Sequence, residues 1–459
     1  MMRNKDEKKD RTEQMVLLLL MVTVFVISVI RAAVSSMTYD EAFTYCRFVR
    51  RIDPSSLRAF FDSLKFAGEE APTNNHWMNT LLIFGADRIF HTAYNEFVIR
   101  FPSLLFFAFY LIAVFKGRRK GFYSGITVLF LIGNYYLGEF YSIARGYGMA
   151  QTLVFAACLF YLDWKESEYE KDGSLMLCAA FLALGVTANS IVVFILPSFG
   201  IFWLIRLIRK KKLKDFLLRR WWFVLLFFAF VGFFALKQMS DAGDKFAEEK
   251  QGNFFSEVIG GMIGMFVKKP LLMWGAAILL VLVTALSIFC LRKKVFERDL
   301  FWMFVIFLAV DLFASLILHN EYIAGRFTLP FYGMFVLGFS GLFSMAARSL
   351  TESGAKTAES SGKPGKSEKT VRRIFADDRL IPAVGLILLL ILGALYLNKL
   401  NVHTVSEWNF DENRGEKILT GYLINGEYSD VPKETPSFTD VFYREKAEYL
   451  KERYAGLYE

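Results

Sequence analysis

Long apolar runs, parted by short charged or turn-rich stretches, dominate the sequence. The first extends from Met15 to about Met37 and is broken only by Arg31. Others cover residues 97–115, 122–138, 148–163, 174–189, 190–208, 221–236, 271–291, 300–318, 329–347 and 380–397. Most approach the ~20 residues that an α-helix needs to cross a bilayer, so the pattern predicts an all-α polytopic membrane protein with about eleven transmembrane helices. The runs at 148–163 and 174–189 are among the shortest.

The first loop, residues 38–96, has a different rhythm. Asp53 and Pro54 make a helix start, and Leu57, Phe60, Phe61 and Leu64 then fall at i, i+3, i+4 and i+7. That single apolar stripe predicts a short amphipathic helix lying along the membrane surface. The segment NNHWMNTLLIFGADRIF at 74–90 is shorter than a span and carries His76, Asn79, Asp87 and Arg88, so it reads as a second interfacial helix.

Sidedness depends on this choice. With the N-terminus in the cytoplasm, KGRRK at 116–120, RKKKLKDFLLRR at 209–220, LRKKVFER at 291–298 and residues 348–379 all fall on the cytoplasmic side. The opposite loops at 139–147, 237–270 and 319–328 carry far fewer basic residues, as the positive-inside rule requires. Had 74–90 crossed, every later basic loop would face outward.

Composition agrees. Apolar residues make up 54% of the 459, charged residues 22%, and mean hydropathy is +0.35. A soluble chain could not cover that much apolar surface. The formal net charge of +9 sits in the loops, where it sets orientation and does not point to nucleic acid. Four cysteines lack metal-like spacing and three lie in apolar runs, which implies neither disulfide nor zinc site.

Residues 1–14 form a charged cytoplasmic tail. The start resembles a signal peptide, with small residues Ala32, Ala33 and Ser35 beyond it, but the run is long and many more come after it, so the first helix is expected to remain uncleaved. Residues 351–379, rich in Ser, Gly, Lys and Glu, read as a flexible cytoplasmic linker before a last span at 380–397. Residues 398–459 then lie outside, with a helix near 438–455 but too little chain to promise an independent core.

On this topology the outer face collects an unusual set of polar groups. Asp40 and Glu41 come just after the first span, His76 and the pair Asn74 and Asn75 lie in the first loop, and Arg100 opens the second span. The short turn at 138–148 adds Glu139, Tyr141, Arg145 and Tyr147, Asn189 stands at another outer turn, and residues 319–330 bring His319, Glu321, Tyr322 and Arg326. Carboxylates at membrane depth are costly and commonly mark sites, although an acidic pair can also simply end a helix at the water interface. Arginines likewise match phosphate oxygens or anchor helix ends, and tyrosines stack on sugars or form an aromatic belt. Together they supply what a lipid-linked phosphate and a sugar need: cations, ring faces and a proton acceptor.

Five stretches carry a resemblance: YDEAFTY after the first span, NNHWMNTLL in the first loop, EFVIRFPSLLF at 96–106, EFYSIARGYGMA at 139–150 and AGRFTLPFYG at 324–333. In order and spacing these resemble the GT-C class of polyprenyl-phosphate-dependent glycosyltransferases over roughly residues 15–350. The likeness is to the bacterial branch related to protein O-mannosyltransferases, aminoarabinose transferases and the RgtA/B/C/D-like enzymes. It implies a GT-C fold with surface helices in the first extracytoplasmic loop, in the cell membrane with its site on the outer face.

The implied donor is a sugar on a polyprenyl phosphate, undecaprenyl phosphate in a bacterium, and the implied acceptor is a cell-envelope glycan, lipid or protein. By the resemblance Asp40 is the catalytic base, with Glu41 beside it. Arg326, Arg145 and Arg100 are candidates for the donor phosphate, and His76, Asn75, Tyr147, Glu139 and Tyr322 for substrate binding. Some relatives carry a divalent metal near the first loop; the residues here do not make a convincing ligand set. The residues after the acidic pair, and Asn-Asn-His-Trp where a His-Pro-Pro turn often stands, depart from the mannosyltransferase pattern, so sugar and acceptor are not inherited. The absence of an outer Asp-x-Asp triad or a Walker loop favours a lipid donor. A transporter or lipid-linked-sugar flippase, with charges lining a path through the membrane, is the rival reading, and a structural or assembly protein is a third.

Overall fold

A computed structural model describes residues 2–56, 59, 76–242, 254, 258–264, 270–318, 323, 325–361, 414–425 and 437–454. The surface helix expected at 57–64, Asn75, His319, Glu321, Tyr322 and the run 380–397 lie outside the described residues. Among the described residues the secondary structure is helical, without strands. In chain order the helices are α1 (Met2–Val34), α2 (Tyr39–Arg47), α3 (Trp77–Phe90), α4 (Glu96–Arg119), α5 (Gly125–Ile132), α6 (Tyr135–Tyr141) and α7 (Gly146–Glu166). They continue with α8 (Asp172–Ala188), α9 (Leu196–Arg209), α10 (Leu213–Ala242), α11 (Pro270–Leu291), α12 (Asp299–Leu318), α13 (Tyr332–Ser361), α14 (Arg414–Asn425) and α15 (Phe438–Arg453). A short helical turn, Gly260–Gly264, precedes α11.

By length and composition seven of the described helical segments can cross a membrane: Arg11–Val34, Glu96–Arg119, Ser190–Arg209, Leu213–Phe234, Trp274–Leu291, Asp299–Leu316 and Gly325–Ala347. The protein is therefore a multi-pass membrane protein. Its peripheral spans are apolar outward: only 11% of each of Leu213–Phe234 and Trp274–Leu291 is buried, leaving Trp221, Leu225, Phe228, Leu282 and Phe289 exposed. Such side chains are stable facing hydrocarbon and would be unstable in water.

Three of the expected runs fall outside these seven. The run 122–138 is two helices, because Gly133 ends α5 and Asn134 starts α6, its Oδ1 accepting the Tyr136 N–H at 2.8 Å. Helix α7 is long, but it is enclosed by the other helices. A helix that meets protein in place of lipid need not be apolar all round, and α7 accordingly buries Gln151 and Thr152. Helix α8 has 17 residues and ends at Asn189, whose Oδ1 accepts the Ile191 N–H at 3.2 Å as the chain turns directly into the 3-10 segment Ser190–Ile195 and α9. Helix α3, with 14 residues, is too short to span. Helix α13 continues to Ser361, into the stretch expected to be a linker; residues 351–361 include Ala, Glu and Lys, all good helix formers.

The basic loops gather at one end of the bundle. There Arg118 pairs with Glu13 at 2.8 Å, Lys120 with Asp163 at 2.9 Å, and Asp299 receives both Lys165 at 3.2 Å and Arg206. At the other end α1 leads into α2, α3 lies against α4 and α8, α14 and α15 pack on one another, and α15 packs on α2. The polar residues of the outer turns meet at this second end.

Candidate functional site

Helix α2 starts with a capping box: the Glu41 N–H donates to Thr38 Oγ1 at 3.3 Å, and the Thr38 N–H donates back to Glu41 Oε2 at 2.9 Å. This fixes the first turn, which carries both carboxylates, and sends them different ways.

Glu41 points inward. Its carboxylate accepts from Arg100 Nε and Nη2, each at 2.8 Å, and from the Ala144 N–H at 2.7 Å. Arg100 also donates to the carbonyls of Ala32, Ser35 and Ser36, at the last turn of α1 and the start of the link to α2. The pair thus bolts the end of the first span, the start of the second and the 138–148 turn together. Burial alone would raise the Glu41 pKa; the Arg100 charge and the hydrogen bonds outweigh it and hold the carboxyl below its ordinary value.

Asp40 faces the other way, toward Arg145, with Oδ2 3.4 Å from Nη2. Its side chain is 12% exposed, and Oδ2, itself buried, accepts no hydrogen bond. Thr44, one turn along α2, accepts from Arg145 Nη1 at 3.2 Å through Oγ1. Arg145 is fully buried at the start of α7. Its guanidinium lies 6.0 Å from the centroid of the Tyr147 ring, and that of Arg326, in the 3-10 segment Gly325–Phe331, lies at the same distance. The ring makes edge contacts with His76 at 5.3 Å, Phe140 at 5.3 Å and Phe327 at 5.8 Å.

His76 precedes α3 and is buried. Burial, then the charges of Arg145 and Arg326, hold its imidazole well below its ordinary pKa, so the ring is neutral; a bond to the Ala188 carbonyl opposes the shift without cancelling it. Its Nε2 has no hydrogen-bond partner, nor do Asn79 Oδ1 one turn on and Asn189 Nδ2 beside Ala188. Gly146 makes the approach feasible: a Cβ there would collide with the Ala188 carbonyl oxygen and stand 2.9 Å from His76 Cβ.

The structure therefore brings Asp40, Arg145, Tyr147, Arg326 and His76 together. It places Arg100 and Glu41 beside them, engaged with each other. Glu139 is buried on α6, its carbonyl accepting from Ser142 Oγ at 2.9 Å, and Ser142 Oγ in turn accepts from Arg31 Nε at 3.3 Å. Thr44, Asn79 and Gly146 were not singled out from sequence as site residues. Their signal was membership of the stretches YDEAFTY, NNHWMNTLL and EFYSIARGYGMA, and for Thr44 also its i+4 spacing from Asp40. Among the described residues no three His, Cys, Asp or Glu side chains gather as a metal site.

A buried carboxylate oxygen without a hydrogen bond, 3.4 Å from Arg145, with Arg326 and a neutral imidazole gathered on the Tyr147 ring next to that arginine, can accept a proton from a hydroxyl while the arginines hold an anion. Set against models of known families, curated proteins and solved structures, the chain matches none of them.

Proposed function

We propose that this protein is a membrane glycosyltransferase that moves a sugar from a polyprenyl phosphate to an extracytoplasmic hydroxyl acceptor, on a GT-C-like framework completed by spans beyond the seven. The observation that carries the reading is Asp40 Oδ2, buried, without a hydrogen bond, and 3.4 Å from Arg145. In this reading Asp40 takes the acceptor's hydroxyl proton as its oxygen attacks the anomeric carbon. The bond from that carbon to the phosphate oxygen breaks, and the lipid phosphate leaves with the electron pair on the opposite face, inverting the configuration. Arg145 and Arg326 neutralise the leaving phosphate from positions fixed before reaction, and the Tyr147 ring gives the sugar a face to pack on. Glu41 and Arg100 position the Asp40 turn.

The test is transfer from a panel of undecaprenyl-phosphate sugars by purified protein in liposomes, with Asp40→Asn alongside. A fall of about 10²- to 10⁴-fold in the variant supports Asp40 as base. Equal turnover in both removes it from that role.

A further inference from the structure

The last helix of the chain grips the turn that carries Asp40. Phe438 packs edge-on against Tyr39 and Phe43, with ring centroids 5.7 and 4.8 Å apart, on either side of Asp40 in sequence. Phe442 does the same against Tyr45 at 5.6 Å and Tyr94 at 5.6 Å. The Tyr443 hydroxyl accepts the Met37 N–H at 2.9 Å, in the link between the first span and α2. Further along α15, Glu445 accepts from the Tyr94 hydroxyl at 2.9 Å, and Lys446 reaches both oxygens of Glu96 at 2.6 Å, where the second span begins.

Helix α14 seats Tyr443: a Cβ on Gly415 would run into its ring and hydroxyl. Met37, Ala42, Tyr45, Ile83, Ile99, Ile418, Phe442 and Tyr443 form one buried apolar cluster, separate from the core of the span bundle. Among the described residues nothing else covers this side of α2 so extensively: both ends of the first loop and α15 enclose Tyr45, Phe43 and Met37.

We propose that α15 is a working part of the site and that Tyr443 is a positioning residue for Asp40; this rests on the glycosyltransferase reading. A carboxylate must meet the acceptor oxygen within hydrogen-bond reach, and a one-turn helix start fixed only by its own capping box can swing by more than that tolerance. The Glu41 to Arg100 bridge holds α2 from the membrane side and α15 holds it from the other. Asp40 then has a single direction left to face, toward Arg145. Residues 438–453 therefore act on the reaction through α2 without touching the reacting atoms.

Two measurements on the full chain decide this. The first is amide hydrogen exchange, resolved by mass spectrometry, in Phe442→Ala and Tyr443→Phe. Exchange in residues 38–47 is expected to rise tenfold or more in Phe442→Ala and to rise at residues 37–41 in Tyr443→Phe, with α7 unchanged. Unchanged exchange in 37–47, or an equal rise across α7, overturns the proposal. The second is transfer kinetics. Tyr443→Phe is expected to lower kcat about tenfold with the donor KM unchanged, because the fault lies in where Asp40 points and not in donor binding. A raised donor KM at full kcat overturns the positioning role. A wild-type protein that turns over no donor sinks the glycosyltransferase reading instead, and the exchange result alone then decides whether α15 holds α2.

Discussion

Replacing Arg100 by Leu is the most searching perturbation of this arrangement. The guanidinium makes two 2.8 Å bonds to Glu41 and three to carbonyls at the end of α1. Both partners have fully buried side chains. The variant leaves Glu41 with the Ala144 and Thr38 donors but no countercharge. Breaking a buried pair by removing one partner costs about 3–5 kcal/mol. The pH dependence is diagnostic. In the wild type the Glu41 carboxyl lies below its ordinary value, so its contribution is present at neutral pH and is lost as pH falls through the carboxylate range. In Arg100→Leu burial, the largest influence, is opposed only by the Thr38 and Ala144 hydrogen bonds and lifts the carboxyl above its ordinary value, so the variant gains stability as pH falls. Thermal unfolding in detergent, monitored by tryptophan fluorescence, should show a midpoint several degrees lower at pH 7.5 and a narrower gap at pH 5. The double variant Glu41→Leu with Arg100→Leu should recover part of the loss. An unchanged midpoint in Arg100→Leu, or a gap that widens toward pH 5, would refute the proposed balance of burial and countercharge.

The neighbouring carboxylate should weigh less on stability and more on activity: Asp40→Asn breaks a 3.4 Å ion pair without a hydrogen bond, so the midpoint should fall by less than in Arg100→Leu, while transfer falls by about 10²- to 10⁴-fold. His76 is neutral in the folded protein and protonates more readily when unfolded, so wild-type stability should drop as pH falls below ~6.5, and His76→Gln should flatten that slope in the same melts. Burial pushes Asp87 up to about 6 despite its 2.6 Å bond from the Tyr45 hydroxyl. Its folded value exceeds its unfolded one, so stability declines as pH rises from about 4 to 6, and Asp87→Asn should melt higher than wild type at pH 7.5 but not at pH 4.5. Gly146→Ala drives a methyl group into the Ala188 carbonyl and His76, and should cost about 1–3 kcal/mol in the same assay, with transfer reduced.

Hydropathy made the spans on the bundle's periphery legible, because lipid-facing helices must be apolar at every exposed position. It says less about the centre. The enclosed helix α7 and the broken run around Gly133 and Asn134 sit among other helices, where neighbours satisfy polar groups and continuity is not demanded. The pairing of acids and arginines at helix ends was visible as a list, but which acid turns inward was not. That choice is made by the Thr38 capping box and by the Ala144 N–H, about a hundred residues apart. The role of the C-terminal helices had no sequence signal, since their partners are aromatic residues from the other end of the chain.

The bond between the Met37 N–H and the Tyr443 hydroxyl joins residues 406 positions apart. At ~5–20 residues per second a ribosome needs on the order of 20–80 seconds to make the intervening chain. Throughout that interval the Asp40 turn has already left the first span without its last partner. The spans from Glu96 to Ala347 are thus all made before this turn is locked, and a product that stops before α15 keeps Arg100, Arg145 and Arg326 yet leaves the Asp40 turn without that partner.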